Sequence, residues 1–150
     1  MITMMHTAAT VQNYNFTSND NLFLDTNIWL YLFGPRRAVP SDMEIYSDMF
    51  NRIVNARCQI YIDIVVVSEF INAYARMQWR FIAPRVRSFK TFRDSPDFKP
   101  VAQNIADHVK LIMEYCKRIE SGFTTLPINS LLDDYISGDF DFNDQVITEI

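Results

Sequence analysis

The stretch LFLDTNIWLYLFG, residues 22–34, joins two kinds of pattern end to end. Residues 22–25 read as a short buried strand, and the apolar residues beyond them read as a helix that ends at Gly34-Pro35, a strong stop signal. Asp25 stands at the junction. A carboxylate in that place serves either as a helix cap, favoured by the helix dipole, or as the first ligand of a metal site, and the stretch leaves both readings open.

Working outward, SDMEIYSDMFNRIVNA (41–56) opens with Ser41 and Glu44 at capping-box spacing and repeats Met43, Tyr46, Phe50 and Ile53 every three or four residues. That pattern predicts a helix with one apolar face. QIYIDIVVV (59–67) is rich in β-branched residues and reads as a second buried strand, with Asp63 in mid-strand facing solvent. Ser68 then starts a helix whose inner stripe is Phe70, Tyr74, Met77 and Phe81, and Pro84 ends it. Residues 88–100 read as a loop. Residues 101–120 form a long helix, with Val101, Ile105, His108, Ile112, Cys116 and Ile119 on one side and Gly122 closing it.

FTTLPI (123–128) reads as a third strand, SLLDDYIS (130–137) as a short helix and FDFNDQVITEI (140–150) as the opening of another. This alternation predicts an α/β domain of three layers, α/β/α, around a central parallel sheet. Residues 1–20, with Thr, Asn and Ser but no apolar periodicity, read as a loose tail, and residues 21–150 as one domain. From Asn143 the last helix has only about two turns and no strand after it, so the domain is expected to lack its final strand.

The 150 residues suffice for one domain, and 49% hydrophobic content fills an ordinary core. Two well-separated cysteines, Cys58 and Cys116, and an N-terminus without a basic n-region or apolar span predict a cytoplasmic protein with no membrane anchor. The net charge of −4 hides an asymmetry. Between Arg76 and Arg93 lie six cations (Arg76, Arg80, Arg85, Arg87, Lys90 and Arg93) and no acid; removing that +6 leaves −10 for the remainder. Trp79, Phe81, Phe89 and Phe92 are interleaved with these cations, a mixture suited to neutralising phosphates and stacking bases, or else a solvated helix face followed by core aromatics.

Several chemistries drop out. The three glycines, Gly34, Gly122 and Gly138, form no phosphate loop; His6 lies in the tail and His108 on an apolar stripe, so no base for a Ser or Cys nucleophile is evident. No C-x-x-C or H-E-x-x-H suggests zinc. Acids at junctions survive this elimination: Asp25 after the first strand, Glu69 after the second and Asp144 in the first turn of the last helix. Each taken alone is explained by capping, whereas at one edge of a parallel sheet they would share the crevice where ligands bind. Clustered carboxylates need a compensating cation, and Mg²⁺ or Mn²⁺ prefers such oxygens.

LFLDTNIWLYLF resembles the opening motif of PIN domains, VVVSEFINAY their second block with a Glu at a helix start, and DFNDQVI their third block with an Asp near a helix N-terminus. The resemblance spans about residues 21–150. It implies that Asp25, Glu69 and Asp144 are catalytic, metal-binding acids, that Asn27 supports the site by hydrogen bonding, and that the activity is Mg²⁺- or Mn²⁺-dependent RNA cleavage. Many small members are toxins neutralised by an antitoxin, so the expected partners are RNA, an antitoxin protein and a second copy of the chain. A further Asp common in the family falls beyond Ile150. An impaired RNA- or protein-binding module is the alternative.

Overall fold

The computed structural model describes residues 2–4, 13–35, 40–120 and 122–137. The protein is a mixed α/β structure, mostly helical, with a small parallel sheet. Three strands, β2 (Asn21–Phe23), β3 (Gln59–Ile62) and β4 (Cys116–Arg118), pair side by side, and β1 (Ile2–Met4) adds to the β2 edge. All pairs are parallel, with Phe23 opposite Tyr61 and Ile62 opposite Arg118. Strands that run the same way need crossovers, and helices supply those between β2 and β3 and between β3 and β4. These are α1 (Thr26–Phe33) and α2 (Pro40–Asn55) between β2 and β3, then α3 (Ile64–Ile82), α4 (Phe89–Arg93) and α5 (Phe98–Tyr115) between β3 and β4. A 3-10 turn (Phe123–Thr125) and α6 (Ile128–Ser137) follow.

The opening stretch forms the elements its pattern predicts. Leu22, Phe23 and Leu24 are buried, as are Ile28 and Trp29 one helical turn later. Gly34 N–H donates to Leu30 O at 2.9 Å, and a Cβ at Gly34 would lie 2.3 Å from that oxygen, so only glycine closes α1 here. Helix α2 begins at Pro40, which places Ser41 inside its first turn instead of at the cap. It ends in a Schellman turn: Cys58 N–H donates to Ile53 O, Arg57 N–H donates to Val54 O, and Arg57 takes the left-handed conformation at φ 58°. That turn feeds the chain directly into β3.

Four boundaries differ from the sequence reading. Strand β3 stops at Ile62, because Asp63 accepts a hydrogen bond from Val66 N–H at 3.1 Å and starts α3 there. The run Ile64 to Val67 is therefore helical, its β-branched preference overridden by the cap and by burial of Val66. Asp63 is buried, not solvent-facing. The third paired strand is Cys116–Arg118, which follows α5 without a Gly, Pro or Asn to mark the change, whereas Phe123–Thr125 is a 3-10 turn. Residues 88–100 contain α4 and the start of α5. In the stretch expected to be a loose tail, Ile2–Met4 pairs with Asn21–Phe23 and Phe16 enters the core.

The core is continuous from Phe16 and β2 through Trp29, Phe50 and Ile53 to Phe70, Tyr74, Val101, Ile105 and Ile112. Helix α1 packs on α2 and α3, and α3 on α5. Phe81 departs from the predicted inner stripe of α3: Phe70 and Tyr74 are buried, but the last turn runs past its cover and leaves Phe81 85% exposed. Among the described residues no helix is long and apolar enough to cross a membrane.

Candidate active site

In a parallel sheet the carboxyl ends of the strands define one edge, and the residues just past them face a common crevice. Asp25 and Asp63 both occupy that row, each two residues past the last Phe23–Tyr61 pair. Their side chains do different things. Asp63 caps α3 through Oδ1. Asp25 holds the backbone position of an N-cap, at φ −62° and ψ 155°, yet its carboxylate makes no capping bond. Instead Asp25 Oδ2 accepts from Asn27 Nδ2 at 3.2 Å, and the side chain remains partly open to solvent. The cap alternative for Asp25 thus describes its backbone and not its carboxylate.

Glu69 reaches the same end of the sheet from α3. Thr26, 6% exposed at the first position of α1, donates its hydroxyl to Glu69 Oε2 at 2.8 Å. The two residues are 43 positions apart, so the bond is tertiary, and the packing of α1 against α3 creates it. A hydroxyl bond to a carboxylate fixes the orientation of that carboxylate. Of the three predicted acids, Glu69 is thus tied to Thr26, the residue next to Asp25 in the chain, and Asp25 is bonded to Asn27. Asp144 lies outside the described residues. Among the described residues no group of three or more His, Cys, Asp or Glu side chains could hold a metal ion.

An open cleft of about 680 Å³ lies at the ends of β3 and β4, lined by Ile62, Asp63, Val67, Met113, Arg118 and Glu120 among others. Its lining contains neither Asp25 nor Glu69, so this cleft and those two acids are separate places. Asp63 Oδ2 is buried without a hydrogen-bond partner among the described residues. His108 is half-buried against the rings of Phe33 and Tyr74, at 6.4 and 5.7 Å, as its place on an apolar stripe predicts. Burial also raises the Tyr74 hydroxyl pKa above its ordinary value, and that oxygen accepts from Asn104 Nδ2 at 2.9 Å.

The basic segment is the second component. Arg76, Arg80, Arg85, Arg87, Lys90 and Arg93 are all exposed, and none forms an ion pair among the described residues. The interleaved aromatics are mostly committed elsewhere. Phe92 is fully buried, Trp79 Nε1 donates to Val86 O at 3.0 Å, and Phe89 packs 5.8 Å from Trp79 with the Arg76 guanidinium 5.0 Å over its ring. These rings hold α4 against α3 and α5. Of the four, only Phe81 is open to solvent.

Thr26 is the functional neighbour that sequence reasoning passed over. Its one signal was its place inside Asp-Thr-Asn. The chain matches no protein-family model, no curated protein and no solved structure.

Proposed function

We propose that the protein is a metal-dependent endoribonuclease of the PIN-like kind, built on the three-layer α/β/α arrangement, and the toxin of a type II toxin–antitoxin pair. The observation that carries this reading is the Thr26–Glu69 hydrogen bond, which draws Glu69 to the sheet edge where Asp25 stands with a carboxylate not used as a cap. The donor set is entirely carboxylate oxygen, which fits Mg²⁺ or Mn²⁺ and not a softer metal. Asp25 and Glu69 would hold the ion, with Asp144 as the third ligand that the motif resemblance implies. When bound, such an ion lowers the pKa of a water and offsets charge on a phosphate.

The protein's own residues do the positioning. Thr26 orients the Glu69 carboxylate, and Asn27 orients that of Asp25. The exposed arginines supply the attraction for the RNA backbone, which an otherwise acidic chain would repel. Asp25→Asn keeps the size and shape of the side chain while removing its charge. Incubated with RNA and Mg²⁺ or Mn²⁺, the wild-type protein is expected to give EDTA-sensitive fragments, and Asp25→Asn to cut at least about a hundredfold more slowly. Equal cutting by the two proteins would sink the proposal.

A second reading is a binding module that has the fold without the turnover. It is favoured by the exposed basic face, which can attract RNA without any contribution from the acids. Such a module would bind RNA with a steep salt dependence and leave the strand whole at every metal concentration. Co-purification of a small antitoxin-like protein would separate the toxin reading from a free-standing nuclease.

A further inference from the structure

We infer that Phe81 is a base-stacking platform and that the basic face therefore selects single-stranded over double-stranded RNA. The inference rests on the RNA-binding side of the reading above and deepens it.

Phe81 continues the buried stripe of α3, one helical repeat after Tyr74, but the helix outruns its cover and the ring is 85% exposed. A lone exposed apolar side chain needs no explanation by itself. This one sits in a stretch of eighteen residues, 76–93, that carries six exposed cations, none in an ion pair among the described residues, and no acid. Arg80 precedes it in α3, and Arg85 and Arg87 follow in the turn after Ile82. The other three aromatics of the stretch are locked in contacts with one another, with Arg76 and with the Val86 carbonyl. The one free ring thus lies where the local charge draws a polyanion.

A phosphate backbone satisfies the arginines, five of the six cations, whose guanidinium groups suit phosphate oxygens better than lysine does. An exposed phenyl ring in the same place offers a face to an unstacked base and nothing to a duplex, whose bases are already covered. An acidic protein would also meet the charge. It would not discriminate between single and double strands, which makes strand selectivity the deciding measurement. Along α3, Phe81 lies about 18 Å from Glu69 at 1.5 Å per residue.

The test uses the full chain, a fluorescently labelled uridine oligonucleotide and a duplex of equal length, all in EDTA so that no cleavage can occur. Phe81→Ala is expected to bind the single strand about tenfold more weakly and the duplex as the wild type does. Phe81→Trp is expected to retain single-strand affinity and to show fluorescence quenching on binding, measured against the signal of Trp29 and Trp79 in the wild type. Circular dichroism checks that both variants fold, as an exposed position should allow. Unchanged single-strand binding by Phe81→Ala, equal loss on both ligands, or no quenching in Phe81→Trp overturns the assignment and leaves the ring as a protein contact. These readouts need no turnover. Cleavage without a Phe81 effect would remove only this inference, and stacking without cleavage would remove only the nuclease reading.

Discussion

The carboxyl edge of the sheet and the basic face lie toward opposite ends of α3, and they are organised in opposite ways. At the edge, Thr26 is buried, Asp25 and Glu69 are partly covered, and the carboxylates take hydrogen bonds from Asn27 and Thr26. On the basic face, six cations stand in solvent without ion-pair partners among the described residues, and one phenyl ring is left open. The contrast teaches where precision is needed. An acid that must share a ligand with another acid has to be held in place by neighbours, whereas a cation that meets a flexible polyanion gains from staying mobile. The first region should therefore fail sharply when one atom is removed, and the second only gradually.

Thr26→Val gives the sharpest test of that difference. Valine fits the same volume but cannot donate to Glu69, so a carboxylate loses an orienting partner while the fold is kept. Cleavage is expected to fall about 10- to 100-fold, the usual cost of removing a group that orients a metal ligand. Stability should fall by roughly 1.5–3 kcal/mol, as for loss of a hydrogen bond to a charged group, read from urea unfolding. RNA affinity in EDTA should stay at the wild-type level. Wild-type cleavage by Thr26→Val would mean that Glu69 needs no orientation, and the proposed role of the acid pair would fail with it.

The basic face should respond in small additive steps. Arg80→Gln with Arg87→Gln removes two exposed charges that make no ion pair among the described residues. If each contacts one phosphate of a single strand, the slope of log affinity against log salt should become shallower by about 0.7 per charge. Titration at several salt concentrations reads this directly. An unchanged slope would show that RNA does not lie on this face, whatever the acid pair does.

The same contrast explains what could be read from the amino acids. Leu22 to Asp25 and the helix that Gly34 closes were legible because their signals are local: apolar run, helical spacing, a glycine where no Cβ fits. The basic face was legible for the same reason, since it is one stretch of chain. The β3–α3 boundary was not, because Ile64 to Val67 favours strand and the Asp63 cap, with burial of Val66, reverses that preference. β4 was hidden behind α5: the apolar spacing of Ile112, Cys116 and Ile119 continues through the change to extended backbone, and pairing with Ile60 to Ile62 decides it. Asp25 and Glu69 could be named as candidates from their junctions. What joins them is a contact across 43 positions, and no window of sequence contains it. Asp144 and the helix expected around it fall outside the described residues.

The thiols, Cys58 just before β3 and Cys116 at the start of β4, provide a milder check on the sheet. Burial pushes the Cys116 thiol up to about 12, and the Cys58 thiol is also raised by burial, with the Asp20 charge adding to it. A thiol that high holds almost no thiolate near neutral pH, so Cys116 should resist alkylation by iodoacetamide in the folded protein and react once urea exposes it. Fast labelling of Cys116 under native conditions would show that β4 opens readily, and with it the edge beyond Ile62.

The smallest effect concerns the other end of β2, where Asp20 serves as a control acid five residues before Asp25. Asp20 is held by Thr17 N–H at 2.7 Å, by the Thr17 hydroxyl at 3.2 Å and by the Tyr14 hydroxyl at 3.0 Å. The backbone bond from Thr17, with the side-chain bonds behind it, lowers the Asp20 pKa, and its bond from Tyr14 raises the tyrosine's. A lowered carboxyl binds fewer protons folded than unfolded, so its stabilisation is present above the ordinary Asp range and is lost as pH falls through that range toward the folded value. A raised phenol works in the other sense: its contribution is present below the ordinary Tyr value and is lost as pH rises toward the folded one. Asp20→Asn should therefore flatten the stability profile slightly at both extremes, seen as a small change in the acid and alkaline unfolding midpoints, and leave cleavage untouched. Loss of cleavage in Asp20→Asn would mean that acids on β2 act through the strand and not at the carboxyl edge, and the distinction between the two ends of the sheet would no longer support assigning chemistry to Asp25.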